Sequence, residues 1–131
     1  MTSSSPLTAA DAAEALIERC FALGPAVRYV AVYRHGRLVS RERAALAGAS
    51  SSESDRYEEL LVNPTVITLL RQRGEIDCGG LRYVLIRYGN FHQFVHPVPG
   101  GHLSVALEPS AEPDRLVPAL VELAQAAAEG G

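Results

Sequence analysis

The sequence contains no lysine and no tryptophan, and only two of its 131 residues are cysteine. Cys20 and Cys78 lie too far apart for a metal knuckle and are too few for a disulfide framework, so a reducing cytoplasmic setting is expected. No apolar run reaches the roughly 18 residues that span a bilayer. No basic stretch followed by an apolar one marks an export signal. We therefore expect a cytoplasmic protein without membrane insertion.

Charge is also sparse, with a net value of −3 and 21% charged residues against 47% hydrophobic ones. This composition is typical of a globular chain and excludes a disordered one. The net charge gives no reason to expect nucleic acid or anionic lipid as a partner. All basic residues are arginine, which with the many alanines indicates a GC-rich, bacterial coding sequence. The length favours one domain, placed at residues 8–128 between a loose segment, 1–7, and a tail, 129–131.

The most informative stretch contains three runs rich in β-branched and aromatic residues, at 81–88, 91–96 and 102–107. Turn residues separate the runs. Gly89-Asn90 suits a two-residue type II′ turn, and Pro99-Gly100-Gly101 suits a second reversal. The pattern predicts a three-stranded antiparallel meander.

The first part of the chain predicts a helix followed by a hairpin. Apolar residues recur at helical spacing after Thr8, which suits an N-cap. Residues 27–33 form an apolar strand, and His35-Gly36 marks a tight turn. Residues 37–43 return as an Arg-rich strand, which fits the edge of a sheet.

A middle helix is predicted to begin after Ser54, a suitable cap, and to end at Gly74. Asn63-Pro64 interrupts it, with Asn63 recapping and Pro64 at a first helical position. Its apolar face comprises Tyr57, Leu60, Leu61, Val66, Ile67, Leu69 and Leu70. A last amphipathic helix covers residues 116–124. No crossover unit with a phosphate loop is visible, which disfavours a doubly wound nucleotide-binding fold.

The resulting order, αββαβββα with a five-stranded antiparallel sheet, resembles the Roadblock/LC7 family within the longin-like and profilin-like folds. The residues that carry the resemblance are 29–39, 83–91 and 101–109, and the likeness in topology extends over residues 8–128. It implies an α+β fold in which the five-stranded antiparallel sheet lies between one middle helix and two terminal helices. It also implies dimerisation through the third strand and the middle helix. Bacterial members often occur with small Ras-like GTPases, and other members are dynein light chains or endosomal scaffolds.

The residues support pairing independently, because the strand at 81–88 starts the meander and has no sequence neighbour on its outer side. An open edge without proline invites another strand, and a two-fold axis makes such pairing self-complementary. Either a homodimer or a covering loop would satisfy that edge. The predicted dimer interface comprises Tyr57, Leu60, Leu61, Val66, Arg82, Val84, Ile86 and Tyr88.

Three histidines are the weak candidates for a metal site. His92 and His96 are four apart in one strand and share a face, and the tight turn could place His102 opposite His96. Imidazole nitrogens bind zinc, but no carboxylate or thiol stands close in sequence to complete the set. The favoured interpretation is polar residues on a partly covered face or at the sheet rim, with no metal and no cofactor.

Other reactive side chains have structural interpretations. Cys20 falls on an apolar helical stripe and is expected to be buried. Cys78 is in a loop beside Asp77, whose charge opposes thiolate formation. The acids near the start of the middle helix (Glu53, Asp55, Glu58 and Glu59) are expected on a solvated face, where they complement the helix dipole.

The first hairpin is basic, and Arg34, Arg37, Arg41 and Arg43 are the candidate partner-binding residues. They could steer an acidic partner surface or a phosphate, or deter unwanted pairing at an edge.

The sequence therefore predicts a non-enzymatic homodimeric interaction protein, a regulator or scaffold for a small Ras-like GTPase or a multiprotein complex. The alternative is a small-molecule or metal sensor with a pocket lined by His92, His96 or His102. A thiol enzyme using Cys78 is the third and weakest hypothesis.

Overall fold

The computed structural model describes residues 8–43 and 52–130. The helices are α1 (Ala9–Phe21), α2 (Ser52–Tyr57), α3 (Asn63–Asp77) and α4 (Pro113–Gly130), and a π-helical turn, Glu58–Val62, joins α2 to α3. The strands are β1 (Val27–Arg34), β2 (Arg37–Glu42), β3 (Val84–Arg87), β4 (His92–Val98) and β5 (Gly101–Leu107). We call residues 52–77 the middle helix. The predicted loose segment 1–7 lies outside the described residues, as does the link 44–51.

The five strands form one antiparallel sheet in the order β2-β1-β5-β4-β3. The two edges are β2 and β3, as predicted from the Arg-rich second strand and from the open start of the meander. In the sheet centre Val105 pairs with Val30 on one side and with Phe94 on the other. Since paired residues share a face, these side chains point together toward one layer.

The terminal helices α1 and α4 cover that face and form the main core with it. Ile17 and Cys20 of α1 and Leu120 of α4 are fully buried. Burial of each large aliphatic side chain is worth about 1.5–3 kcal/mol. The predicted start of α1 is confirmed, because Thr8 Oγ1 accepts a hydrogen bond from the Asp11 amide at 3.0 Å.

Two of the three hairpin turns follow the prediction. His35 and Gly36 both have positive φ, at 50° and 80°, which is the geometry of a type I′ turn. Gly100 follows Pro99 with a φ of 81°, as a tight reversal requires.

The third turn differs from the prediction, because Gly89 does not have the positive φ that a type II′ turn needs. The Tyr88 amide donates to the Phe91 carbonyl at 2.9 Å, and the two rings lie 5.1 Å apart. Arg28 of β1 also donates to the Asn90 carbonyl. These contacts hold the turn in another geometry.

The edge strand β3 is shorter than the predicted strand at 81–88. Val84 pairs with Val95, so continuing the same register would set Arg82 opposite Pro97. Proline has no amide N–H to donate to the hydrogen bonds between strands, and β3 begins only after the position opposite Pro97.

The middle helix also departs from its predicted bounds. It begins at Ser52, so Ser54 is inside the helix, and it continues through Gly74 to Asp77. Gly74 is buried, and a Cβ there would lie 3.2 Å from the Gly80 carbonyl carbon. The Gly74 carbonyl accepts from the amides of Cys78 and Gly80. Gly74 therefore allows the following loop to pack closely against the helix, and it does not end the helix.

Candidate interaction surface

The middle helix lies on the sheet face opposite the terminal helices. The residues it buries are Glu59, Asn63, Ile67 and Gly74. Positions about four apart share one side of a helix, so this is a single narrow inward stripe. Unlike the inward side of α1, it is largely polar.

The predicted break at Asn63-Pro64 is a π-helical turn within a continuous helix. Pro64 has no amide, and its ring would clash with the Leu60 carbonyl in a regular helix. The π turn relieves this conflict, with the Asn63 amide bonded to the Glu58 carbonyl. Thr65 Oγ1 donates to the Leu61 carbonyl at 2.6 Å. Glu59 lies within this turn on the inward side of the helix.

Glu59 forms a buried polar cluster with His102 and Asn63 between the middle helix and the sheet. Its Oε1 lies 2.7 Å from His102 Nε2 and accepts a bond of 3.0 Å from Asn63 Nδ2. Each of the three side chains is 1% exposed or less. The prediction of a solvated acidic face is therefore wrong for Glu59.

Three buried oxygens around this cluster have no hydrogen-bond partner within the described residues: Glu59 Oε2, Asn63 Oδ1 and the Tyr29 hydroxyl. Burial, and then the charges of Glu59 and Asp55, raise the pKa of Tyr29 far above its ordinary value. The three side chains of the cluster are shielded from solvent beneath the middle helix.

The neighbouring acid, Glu58, is half-buried and connects the middle helix to the end of β3. Tyr88 donates its hydroxyl to Glu58 Oε2 at 3.1 Å. Burial raises the pKa of Glu58, while the Tyr88 bond opposes that rise. At the other end, Gly74 packs against Gly80 and Leu81. These two connections hold the middle helix alongside the β3 edge.

The structure separates His102 from the other two candidate metal-binding histidines, His92 and His96, which share a face of β4 as predicted. His96 pairs with Leu103, whereas His102 pairs with Pro97 and lies on the opposite face. His96 Nδ1 bonds the Pro97 carbonyl at 2.7 Å, and burial lowers the pKa of His96. The expectation that His102 stands opposite His96 is wrong. Across residues 8–43 and 52–130, no group of three or more His, Cys, Asp or Glu side chains is arranged to hold a metal.

The outward side of the middle helix is apolar and exposed. We call this set the middle-helix surface: Tyr57, Leu60, Leu61, Leu69, Leu70 and Ile76. Tyr83 and Leu85 are exposed beside the β3 edge on the opposite face of the sheet, because Leu85 pairs with the core residue Phe94 and the Tyr83 ring lies 5.6 Å from the Phe94 ring. Leu69 is 62% exposed and Ile76 is 75% exposed. In the part of the chain that the structure describes, every large exposed hydrophobic side chain except Tyr83 and Leu85 belongs to this surface. A concentration of that kind marks an interaction site.

None of the residues predicted for the dimer interface is buried. Tyr57, Leu60, Leu61 and Arg82 are exposed, whereas Val66, Val84, Ile86 and Tyr88 are partly covered. Val84 and Ile86 point toward the middle-helix side, since their partners are Val95 and Gln93. The predicted set did not include Leu69, Leu70, Ile76, Tyr83 and Leu85, which are also exposed. Leu69 and Leu70 belong to the apolar face that the sequence predicted for the middle helix.

Solved structures of known proteins share this fold. A Roadblock/LC7 domain from Streptomyces avermitilis superposes with a TM-score of 0.62 at 17% identity, over 88% of this chain and 90% of that one. The chain has the Roadblock/LC7 fold. A structure of MglB with tetrameric arrangement matches at a TM-score of 0.57 and 15% identity, over 96% of this chain and 99% of that one. No protein-family model and no curated protein sequence matches the chain.

The arginines of the first hairpin of this Roadblock/LC7 fold differ in their surroundings. Arg43 donates to the carbonyls of Val27 and Gly24 at 2.9 Å each, so it closes the loop before β1. Arg41 pairs with Glu14 at 3.1 Å. Arg34 donates its Nε to the Pro99 carbonyl, and Arg37 is exposed beside the turn.

The two cysteines of the Roadblock/LC7 fold have contrasting environments. Cys20 is buried, and burial raises the pKa of its thiol to about 12. Cys78 is exposed and donates to Asp77 Oδ1 at 3.4 Å. The described helices include none that is long and apolar enough to cross a membrane.

Proposed function

We propose that this protein is a non-enzymatic homodimer that acts by contact, as a regulator or scaffold for a small Ras-like GTPase or a multiprotein complex. The observation that carries the proposal is the middle-helix surface beside the β3 edge. Exposed apolar side chains are stabilised by burial against a partner, and the open edge offers unpaired backbone groups to the same partner. A second copy satisfies both demands at once.

The proposed dimer joins β3 to its own copy about a two-fold axis, which gives a continuous ten-stranded sheet. β3 has only four residues, so backbone bonding alone would be weak. The neighbouring middle helices supply the larger apolar contact through residues such as Leu61 and Leu69. A stable interface of standard size buries about 800 Å² from each copy.

Two features support a contact role over catalysis. The one buried acid–imidazole pair in the described residues, Glu59 with His102, is shielded by the middle helix, so a substrate would have no route to it. The exposed thiol, Cys78, bonds an acidic neighbour and not a base. General base and nucleophile chemistry requires groups that can reach the substrate.

The Ras-like GTPase partner is supported by the resemblance to Roadblock/LC7 proteins, whose bacterial members often occur with such GTPases. The test mixes the purified protein with the Ras-like GTPase encoded nearest to it. Co-sedimentation and a changed rate of GTP hydrolysis are expected. Absence of both would contradict the GTPase assignment while leaving other complexes as partners.

Sedimentation equilibrium tests the self-association. The expected mass is twice the monomer mass of 14.0 kDa. Leu61→Arg, at a position 52% exposed, should shift the protein toward monomer without unfolding it. Gln125→Arg introduces the same side chain at an exposed position of α4 and should leave the mass unchanged. A wild-type monomer at high concentration would refute the dimer.

A further inference from the structure

A second, chemically different surface lies on the other side of the sheet. The end of the first hairpin, one side of α1 and the end of α4 line a groove of about 880 Å³. We call it the hairpin groove. Its floor includes Leu16, Val32, Val39 and Ala127. None of His92, His96 and His102 lines it, so it is not the histidine-lined pocket of the sensor hypothesis.

The rim of the hairpin groove is basic. Arg19, Arg34, His35 and Arg37 line it, and no aspartate or glutamate does. Within residues 8–43 and 52–130, none of these three arginines pairs with a carboxylate. By contrast, Arg41 pairs with Glu14, and neither residue lines the groove. In a chain whose net charge is −3, this is a local concentration of uncompensated positive charge.

The rim is also fixed in place. The His35 amide donates to the Gly100 carbonyl at 2.9 Å, and Arg34 Nε donates to the Pro99 carbonyl at 3.1 Å. The hairpin end is therefore tied to the β4–β5 turn. A rim held before binding loses little conformational freedom when a ligand arrives.

We propose that the hairpin groove binds an acidic amphipathic helix of a partner protein. An apolar floor with a cationic rim complements a helix that carries leucines on one side and glutamates beside them. The groove is only partly enclosed, which suits a helix better than a small ligand enclosed on most sides. The inference rests on the proposed role in partner contact but not on self-association. It refines the predicted partner-binding set to Arg34 and Arg37, since these two line the groove whereas Arg41 and Arg43 do not.

The probe is a short synthetic helical peptide with leucines at i, i+3, i+4 and i+7 and glutamates on the flanks. The comparison peptide has lysine in place of every glutamate. Methyl NMR of the full chain should show shifts at Val32, Val39 and Leu123 with the acidic peptide only. Binding should weaken as salt is raised, because exposed charges are screened.

Variants locate the site. Arg37→Glu should weaken the acidic peptide by about tenfold, which corresponds to about 1.4 kcal/mol. Arg115→Glu makes the same charge change on an exposed part of α4 outside the groove and should change nothing. Ala12→Trp, at an exposed position that lines the groove, should block binding without disturbing the core.

Four results would overturn the proposal. They are equal binding of the lysine peptide, shifts confined to the middle-helix surface, no binding at millimolar acidic peptide, and contacts in the free protein between residues 1–7 and the Val39 methyls. The last result would mean that residues 1–7 of this chain occupy the hairpin groove. Sedimentation mass is read separately, so failure of the groove and failure of the dimer are distinguishable.

Discussion

Replacing His102 by leucine should be among the most destabilising single changes in this chain. His102 Nε2 lies 2.7 Å from Glu59 Oε1, and both side chains are 1% exposed or less. Without the imidazole, the Glu59 carboxyl group keeps only its bond from Asn63 and stays shielded from water. Removing one partner of a buried pair costs about 3–5 kcal/mol, against a total of about 5–15 kcal/mol for a typical domain.

The double variant Glu59→Gln with His102→Leu isolates the cause. Glutamine keeps an oxygen that can accept from Asn63, but it removes the uncompensated charge. If that charge is the main penalty, the double variant should be about 1–3 kcal/mol more stable than His102→Leu alone. His96→Leu is the matched control, because His96 is nearly as buried but bonds a backbone carbonyl instead of a carboxylate. It should cost about 1 kcal/mol.

Urea unfolding at one fixed protein concentration measures all four proteins, since association contributes to the apparent stability of a dimer. Thermal unfolding should place His102→Leu about 10 °C or more below the wild type. Equal losses for His102→Leu and His96→Leu would refute the reasoning. A double variant less stable than the single one would do so as well.

Three further predictions concern other parts of the chain. Gly74→Ala should lower the stability measured by urea unfolding by about 1–3 kcal/mol, because the new Cβ would meet the Gly80–Leu81 backbone. The control Gly89→Ala, with open space around the residue, should be neutral within about 1 kcal/mol. Equal losses of stability in the two variants would contradict the packing role of Gly74. Burial raises the Cys20 pKa from 9.0 to about 12, so as the pH rises the unfolded chain loses this proton before the folded one does. Between pH 9 and 12 the stability of the wild type should therefore fall more steeply than that of Cys20→Ala, by about 1.4 kcal/mol per pH unit. Parallel profiles of stability against pH would contradict this. A thiol reagent should label Cys78 in the native protein but Cys20 only on unfolding, as peptide mapping can verify; fast labelling of both would show that α1 opens readily.

The order of elements and the sheet edges could be predicted because their signals are local. Thr8 caps α1 through a neighbour three residues away, and His35-Gly36 has the residues its turn requires. The short β3 could not be predicted in the same way. Its start depends on Pro97, which comes opposite only once the register with β4 is set.

The buried cluster was hidden from sequence reasoning for a similar reason. Glu59 stands near the start of a helix, where an acid ordinarily complements the dipole, and its partner His102 is 43 residues away. Nothing local indicates that Glu59 lies on the inward side of the middle helix. The leucines of that helix lie outside, so the apolar pattern that predicts a core-facing stripe describes an exposed surface instead.

The account depends most on where two copies meet, and an isotope-filtered NMR measurement on mixed labelled and unlabelled protein locates that contact. The account predicts contacts between protomers from the methyl groups of Leu61, Leu69 and Leu85. Contacts only from the hairpin groove, or none between protomers at concentrations where sedimentation gives a dimer, would contradict it.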